Sequence, residues 1–126
     1  NVCQGTADEL PFDNQTFDIV IFGFCLYLCD REDLFLIASE ADRVLRAPGW
    51  LMIMDFFSPV SQAKIYHHRP GVDNHKMDYR TLFTWHPDYE YITQKVRHHI
   101  EAEYTDDQDD WTAVSVLRKC RKDLSA

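Results

Sequence analysis

Phe17-Asp18-Ile19-Val20-Ile21-Phe22-Gly23-Phe24 is the stretch that decides the fold. It is rich in β-branched and aromatic residues and does not alternate with polar ones. That is the pattern of a strand covered on both faces, as in a parallel α/β sheet. A helix is expected next. Asp30 stands in the capping position and Asp33 three residues on, both suited to the positive N-terminal end. Leu34, Ile37, Ala38, Ala41, Val44 and Leu45 then recur at helical spacing on one apolar face, and Pro48-Gly49 is expected to end it. A second buried strand, Trp50-Leu51-Met52-Ile53-Met54-Asp55, follows at once. Strand, helix and strand joined by short connections make a βαβ unit with two parallel strands.

Outward from this unit, Val2–Gln4 reads as a further short strand. Residues 58–88 are less regular and dense in aromatics, histidines and prolines, with one short helix expected around Tyr79–Phe83. The remainder reads as a hairpin. Ile92, Val96, Ile100, Ala102 and Tyr104 are expected on one side of its first strand, and Trp111–Leu117 supplies the returning strand. Thr105-Asp106-Asp107-Gln108-Asp109-Asp110 joins them and is expected to be a solvated loop.

A chain of 126 residues has the mass of a single domain with one core. It is 45% hydrophobic and 27% charged, the balance of a globular protein. The net charge of −8 argues against a nucleic-acid backbone as the main partner, because phosphate binding needs a basic face. The longest apolar runs have strand length, so no membrane partner is expected. Asn1-Val2-Cys3-Gln4 has neither the basic nor the apolar region of a signal peptide. Without an initiator Met, the chain is expected to be preceded by further sequence. Cys3, Cys25, Cys29 and Cys120 form no C-x-x-C pair, so buried reduced thiols and a cytoplasmic location are expected. The histidines lack metal-ligand spacing, and no metal is expected.

Gly5-Thr6-Ala7-Asp8-Glu9-Leu10-Pro11-Phe12-Asp13-Asn14-Gln15-Thr16-Phe17-Asp18 resembles the G-D-A-x-x-L-P-F-x-x-x-x-F-D signature of class I S-adenosylmethionine-dependent methyltransferases. The likeness is strongest to the ubiquinone- and menaquinone-type small-molecule group. Arg43-Val44-Leu45-Arg46-Ala47-Pro48-Gly49-Trp50 is similar to the same family's R-V-L-K-P-G-G turn. The resemblance implies a Rossmann-like α/β fold with seven strands in order 3-2-1-4-5-7-6, mostly parallel, ending in an antiparallel hairpin. Residues 1–126 would hold strands 3, 4, 5, 6 and 7 as a truncated, C-terminal part of one methyltransferase domain. The glycine-rich half is missing from them: glycines stand only at 5, 23, 49 and 71, and no G-x-G occurs. The acidic residue that grips the ribose hydroxyls in the family is missing as well.

The resemblance also implies the site. In open α/β sheets, ligands lie beyond the carboxyl ends of the strands. S-adenosyl-L-methionine would be bound by Thr6, Ala7 and Asp8 on the adenine side and by Phe22, Gly23 and Phe24 beside its methionine portion. A backbone N–H of this loop would face adenine N1. The acceptor for the exocyclic amine falls to Thr6, where the family places Asp, or to Asp8. Gly23 either admits a ligand close to the backbone or lets a helix pack closely. Pro11 and Phe12 are expected to wedge the loop against the sheet.

A small-molecule substrate would meet Tyr27, Asp55, Tyr66, His67, His68 and Arg69, with His75 and Tyr79 in the same loop. Arg69 would hold an acidic group, and a His or Tyr would serve where a base is needed. The identity of a catalytic residue stays open. No N-P-P-Y-like or D-P-P-Y-like segment follows the central strand, which disfavours amino methylation of bases. The function implied is methyl transfer to a small molecule by the intact protein, with the chain alone inactive. The alternative is a non-catalytic fragment or dimerising module with the same fold. In either case the Phe17–Phe24 strand is expected to present an uncovered edge, with Ile19, Ile21 and Phe22 exposed, and to drive homo-oligomerisation.

Overall fold

The computed structural model describes residues 1–65, 73–98, 100–101 and 103–120. Strand β1 (Phe17–Gly23) leads through two 3-10 turns, Leu26–Leu28 and Arg31–Asp33, into helix α1 (Leu34–Val44) and strand β2 (Leu45–Phe56). Strands β3 (Gln62–Ile65) and β4 (Asp73–Lys76) and a one-turn helix α2 (Thr81–Thr84) follow. Strands β5 (Tyr89–His98) and β6 (Trp111–Lys119) complete the described elements. The main sheet has the order β1-β2-β6-β5, with β1 and β2 parallel and the other pairs antiparallel. A βαβ unit finished by a hairpin is therefore the architecture, as expected.

The core lies between α1, α2 and one face of this sheet. Leu34, Ile37, Ala38, Ala41 and Val44 are the buried stripe of α1, while Glu32, Ser39 and Arg46 are exposed. Leu34, Ile37, Ala38 and Ala41 cluster with Leu45, Leu51, Ile53 and Leu117 from the sheet and with Phe83 and Tyr89. The opposite sheet face carries Ile19, Ile21, Trp50, Met52, Met54, Val114 and Val116. Register pairs Ile19 with Trp50 and Ile21 with Met52, and Arg118 stacks its guanidinium over the Trp50 ring at 4.4 Å.

Several expectations are corrected. Val2–Gln4 forms no strand, and the sheet has four strands rather than five. These residues are exposed, and the first pairing in the chain is an isolated bridge between Thr6 and Glu9. A strand needs a neighbour's backbone, and none of the described elements offers one there. Phe22 is buried, at 8% exposure, because the Phe83 ring sits 6.3 Å from it; Ile19 and Ile21, on the other face, are each 56% exposed as anticipated. Asp30 makes no side-chain cap. Its carbonyl accepts the Asp33 N–H, and a 3-10 turn opens the helix.

Helix α1 stops at Val44, four residues before Pro48, and β2 runs through Pro48-Gly49. Gly49 is needed there, since an added Cβ would collide with the Arg46 carbonyl oxygen and come within 2.8 Å of Leu45 Cδ1. In β5 a register shift between Tyr91 and Thr93 turns Ile92 outward. The strand ends where His98 Nδ1 accepts the Ile100 and Glu101 N–H groups, so Ile100 and Tyr104 are also exposed; Ala102 lies outside the described residues.

The irregular segment contains the β3–β4 pair, which the sequence did not announce. The acidic loop docks on that pair. The Asp109 carboxylate binds Lys64, its carbonyl accepts from Lys76, and the Asp107 side chain accepts the Asp109 N–H at 3.1 Å. Lys76 itself is buried, with its ammonium 5.6 Å from the Phe56 ring centre.

Leu45 is fully buried at the junction of α1 and β2. Leu45→Ala is expected to cost about 2–5 kcal/mol in urea unfolding, through lost apolar burial and the cavity left behind. A loss below about 0.5 kcal/mol would show that the α1–sheet interface is not the core of this chain.

Candidate functional site

One cleft, of about 330 Å³, gathers much of the signature. It lies between the loop of residues 5–12 and the carboxyl half of β1. Thr6 and Ala7 stand on one wall, Phe22 and Gly23 on the other, and Ile37 and Ala41 of α1 below. The walls are mainly apolar, with Thr6 and backbone groups as the polar points. A planar heterocycle edged with donors and acceptors suits such a lining. Gly23 has a clear spatial meaning: a Cβ there would meet only Met54 Cε, at 3.9 Å. That space is not needed for packing within the chain, and Gly23 lines the cleft.

The loop that forms the first wall is held by α1. Arg43 gives Nη1 to the carbonyl of Phe12 (2.6 Å) and to Asn14 Oδ1 (3.1 Å), and Nη2 to the carbonyl of Leu10 (3.0 Å). Its Nε and Nη2 bind the Glu40 carboxylate at 2.7 and 3.1 Å. Glu40 Oε1 also accepts the Leu10 N–H at 2.9 Å. The Arg43 and Val44 carbonyls accept the Gln15 and Thr16 N–H groups that lead into β1. Phe12 wedges against Phe17, edge to face at 4.9 Å, as expected for that residue, and it lines the cleft as well.

Asp8 is half-buried and does not line the cleft; nor does Phe24. Phe24 sits at φ 49°, in the left-handed region, with its N–H bonded to the Met54 carbonyl and its ring against Phe56. A bulky residue held in that region is uncommon and marks a tight constraint at the end of β1. Tyr27 meets the same Phe56 ring edge to face at 4.8 Å.

Asp55, expected to face a substrate, is turned inward instead, at 2% exposure. One oxygen accepts the Leu26 N–H at 2.8 Å and the other its neighbour Phe56 N–H at 2.9 Å. The carboxyl thus anchors the turn that carries Tyr27. Tyr66, His67, His68 and Arg69 lie outside the described residues. Tyr79 is buried, donates to the His75 carbonyl at 2.6 Å and accepts from Arg31 at 3.2 Å. Burial pushes its hydroxyl up to about 12, and burial keeps His75 below the ordinary imidazole range. The Tyr79 hydroxyl, held protonated and already hydrogen-bonded, does not suit a general base that must be free to take a proton.

Composition and spacing missed the contribution of Cys3, Leu10 and Cys25 to the cleft walls. Cys25 and Cys29 are both raised by burial, Cys29 to about 12, which keeps these thiols protonated and weakly nucleophilic. The Arg43–Glu40 bracket was also missed, although Arg43 stands in the quoted turn motif. A second hollow, of about 290 Å³, lies between α1 and α2 and is lined by Phe35, Leu82, Trp85 and Tyr89 among others.

The known proteins that this chain resembles in sequence and in fold are methyltransferases. Residues 1–53 match the methyltransferase domain family. Among curated relatives, the ubiquinone/menaquinone biosynthesis C-methyltransferase UbiE of Vibrio parahaemolyticus is 35% identical over 65 residues, 50% of this chain and 24% of that protein. The enzyme of the same name from Idiomarina loihiensis is 40% identical over 58 residues, 46% of this chain and 22% of that protein. The chain therefore matches about a quarter of the length of these relatives.

Solved structures extend the likeness in fold. A SAM-dependent methyltransferase of Methanosarcina mazei superposes with a TM-score of 0.71 at 15% identity, covering 94% of this chain and 66% of that one. The 1,6-didemethyltoxoflavin-N1-methyltransferase of Burkholderia thailandensis, solved with 1,6-didemethyltoxoflavin and S-adenosylhomocysteine, gives 0.71 at 15% identity, covering 91% and 48%.

Burial raises the Asp55 carboxyl to about 6, against the pull of the N–H groups of Phe56, Leu26, Cys25 and Tyr27. The folded state therefore binds this proton more tightly than the unfolded chain. The stability so gained is full below about pH 4 and lost as pH rises through about 6, a change of about 3 kcal/mol. Asp55→Asn has no such proton. Unfolding at pH 4 and pH 8 should show wild type losing up to about 3 kcal/mol relative to the variant. A gap independent of pH would contradict a buried carboxyl.

Proposed function

We propose that this chain contributes the adenine-side wall and the acceptor-side strand ends of a class I methyltransferase site. In the whole protein, that site would transfer the methyl group of S-adenosyl-L-methionine to a small-molecule acceptor. The observation that carries the reading is the convergence of Thr6, Ala7, Phe22 and Gly23 on one cleft at the carboxyl end of β1. The strand order supports it: on this reading β1, β2, β6 and β5 would stand as strands 4, 5, 7 and 6 of the methyltransferase sheet.

The residues fit the adenosyl group. Apolar Phe22, Ile37 and Ala41 would flank the ring, the loop backbone at Thr6–Ala7 would offer donor and acceptor to its edge, and Gly23 would leave room for the chain beside it. Bound there, the cofactor supplies the electrophilic methyl. The chain's own work is positioning. Asp55 holds the Leu26–Leu28 turn, and Tyr27 and Phe24 are set around Phe56 beside the strand ends. Asp8, Phe24, Tyr27, Tyr66, His67, His68 and Arg69 remain candidates for contact with cofactor or acceptor, and a cytoplasmic setting is part of the same reading.

With no G-x-G turn in the 126 residues, affinity is expected to be weak. Missing hydrogen-bond clusters of a few kcal/mol take micromolar binding into the millimolar range, roughly a thousandfold. Titration of the isotope-labelled chain with S-adenosylhomocysteine, followed by NMR, should shift the Thr6, Ala7, Phe22 and Gly23 amides with a millimolar dissociation constant. Unmoved amides at those positions, or micromolar binding centred elsewhere, would overturn the reading.

We also propose that copies of this chain associate through the outer edge of β1. That edge has no strand partner among the described residues, and Ile19 and Ile21 flank it in the open. A second copy offers the matching row of N–H and C=O groups. Light scattering at micromolar concentration should show a dimer or larger species, and Ile21→Lys should disperse it. A wild-type monomer would contradict the proposal.

A further inference from the structure

The cleft wall bearing Thr6 and Ala7 has little to hold it in shape. Among the described residues, its one internal backbone hydrogen bond runs from the Glu9 N–H to the Thr6 carbonyl at 3.2 Å. Residues 1–5 before it are exposed and belong to no strand. The loop is therefore positioned from outside, and the positioning comes from α1. Arg43 takes the carbonyls of Leu10 and Phe12 from one side, while Glu40 takes the Leu10 N–H from the other. Leu10 is thus gripped at both backbone polar groups, and Leu10, Pro11 and Phe12 are themselves wall residues of the cleft.

The two side chains also fix each other. The guanidinium fork lies on the Glu40 carboxylate one helical turn away, and that contact lowers the Glu40 carboxyl from its usual range. Arg presents planar, divergent donors that reach a carboxylate and two carbonyls at once, whereas the ammonium of Lys is a single point of charge.

We propose that Arg43 and Glu40 are positioning residues for ligand binding, setting the loop of residues 5–12 at the width that admits the adenosyl group. This rests on the methyltransferase reading above. Neither side chain lines the cleft, so neither touches the ligand. Their effect passes through Leu10 and Phe12 to the wall that Thr6 and Ala7 share.

The test uses the 126-residue chain and S-adenosylhomocysteine as probe. Glu40→Ala removes the Leu10 acceptor while placing a better helix former in α1, so any loss of affinity is not loss of the helix. Arg43→Lys keeps the charge and removes the fork. Both should speed exchange of the Leu10 amide and raise the dissociation constant about tenfold. Asn14→Ala, which touches Arg43 but not the cleft, should leave affinity within twofold. Each constant is read well below the variant's unfolding midpoint, and if Arg43→Lys does not fold, Glu40→Ala decides. Wild-type binding with unchanged affinity in Glu40→Ala overturns the positioning role and leaves the methyltransferase reading intact. No shift of the cleft amides in wild type overturns that reading, and the proposal with it.

Discussion

One guanidinium joins the parts of this structure that lie far apart in sequence. Arg43 sits in the last turn of α1, and its donors meet Glu40 on the same helix, Asn14, and the carbonyls of Leu10 and Phe12 some thirty residues earlier. The carbonyls that the helix end would leave without partners accept the Gln15 and Thr16 N–H groups, which deliver the chain into β1. Helix, loop and the entry to the strand are therefore set relative to one another by a single cluster of polar contacts. The loop could otherwise adopt many conformations, since few of its own backbone groups pair.

A second anchor acts at the other end of β1. After Gly23 the chain turns through Phe24 in the left-handed region and enters the turn at Leu26, whose N–H is held by buried Asp55. Arg31, just beyond, donates to the Leu26 and Cys29 carbonyls and to Tyr79, so the turn is also tied to the segment after β4. On the far side, Lys64 and Lys76 bind Asp109 of the acidic loop. The β3–β4 pair is thus strapped on two sides over the strand ends. Asp55 and the two Arg31 Nη groups each meet polar partners that offset the cost of their burial, while Arg31 Nε is buried without one among the described residues.

Much of this was legible in the sequence. The βαβ unit follows from two unbroken apolar runs around a helix with a strict apolar stripe, and the buried residues of α1 are those its spacing selects. Thr6, Ala7, Phe22 and Gly23 were named from motif likeness and share one cleft. What could not be read was whatever depends on a distant partner. Val2–Gln4 has strand-forming character but no neighbour to pair with. Asp55 looks like a solvent-facing acid at a strand end, and only the returning turn at Leu26 draws its oxygens inward. Ile92 sits in a regular alternation that one register shift reverses. The acidic run is mainly exposed, as its composition indicates, but nothing in it names the two lysines of another hairpin that Asp109 meets.

The adenosyl group is proposed to sit in the cleft between the loop of residues 5–12 and the end of β1. Ultraviolet cross-linking of the chain with S-adenosylmethionine radiolabelled in its adenine, followed by peptide mapping, tests this most directly. The label is predicted on peptides within residues 1–25, and excess unlabelled S-adenosylhomocysteine should remove it. Label on the α1–α2 hollow around Phe35 and Trp85, or label that S-adenosylhomocysteine does not displace, would contradict the claim.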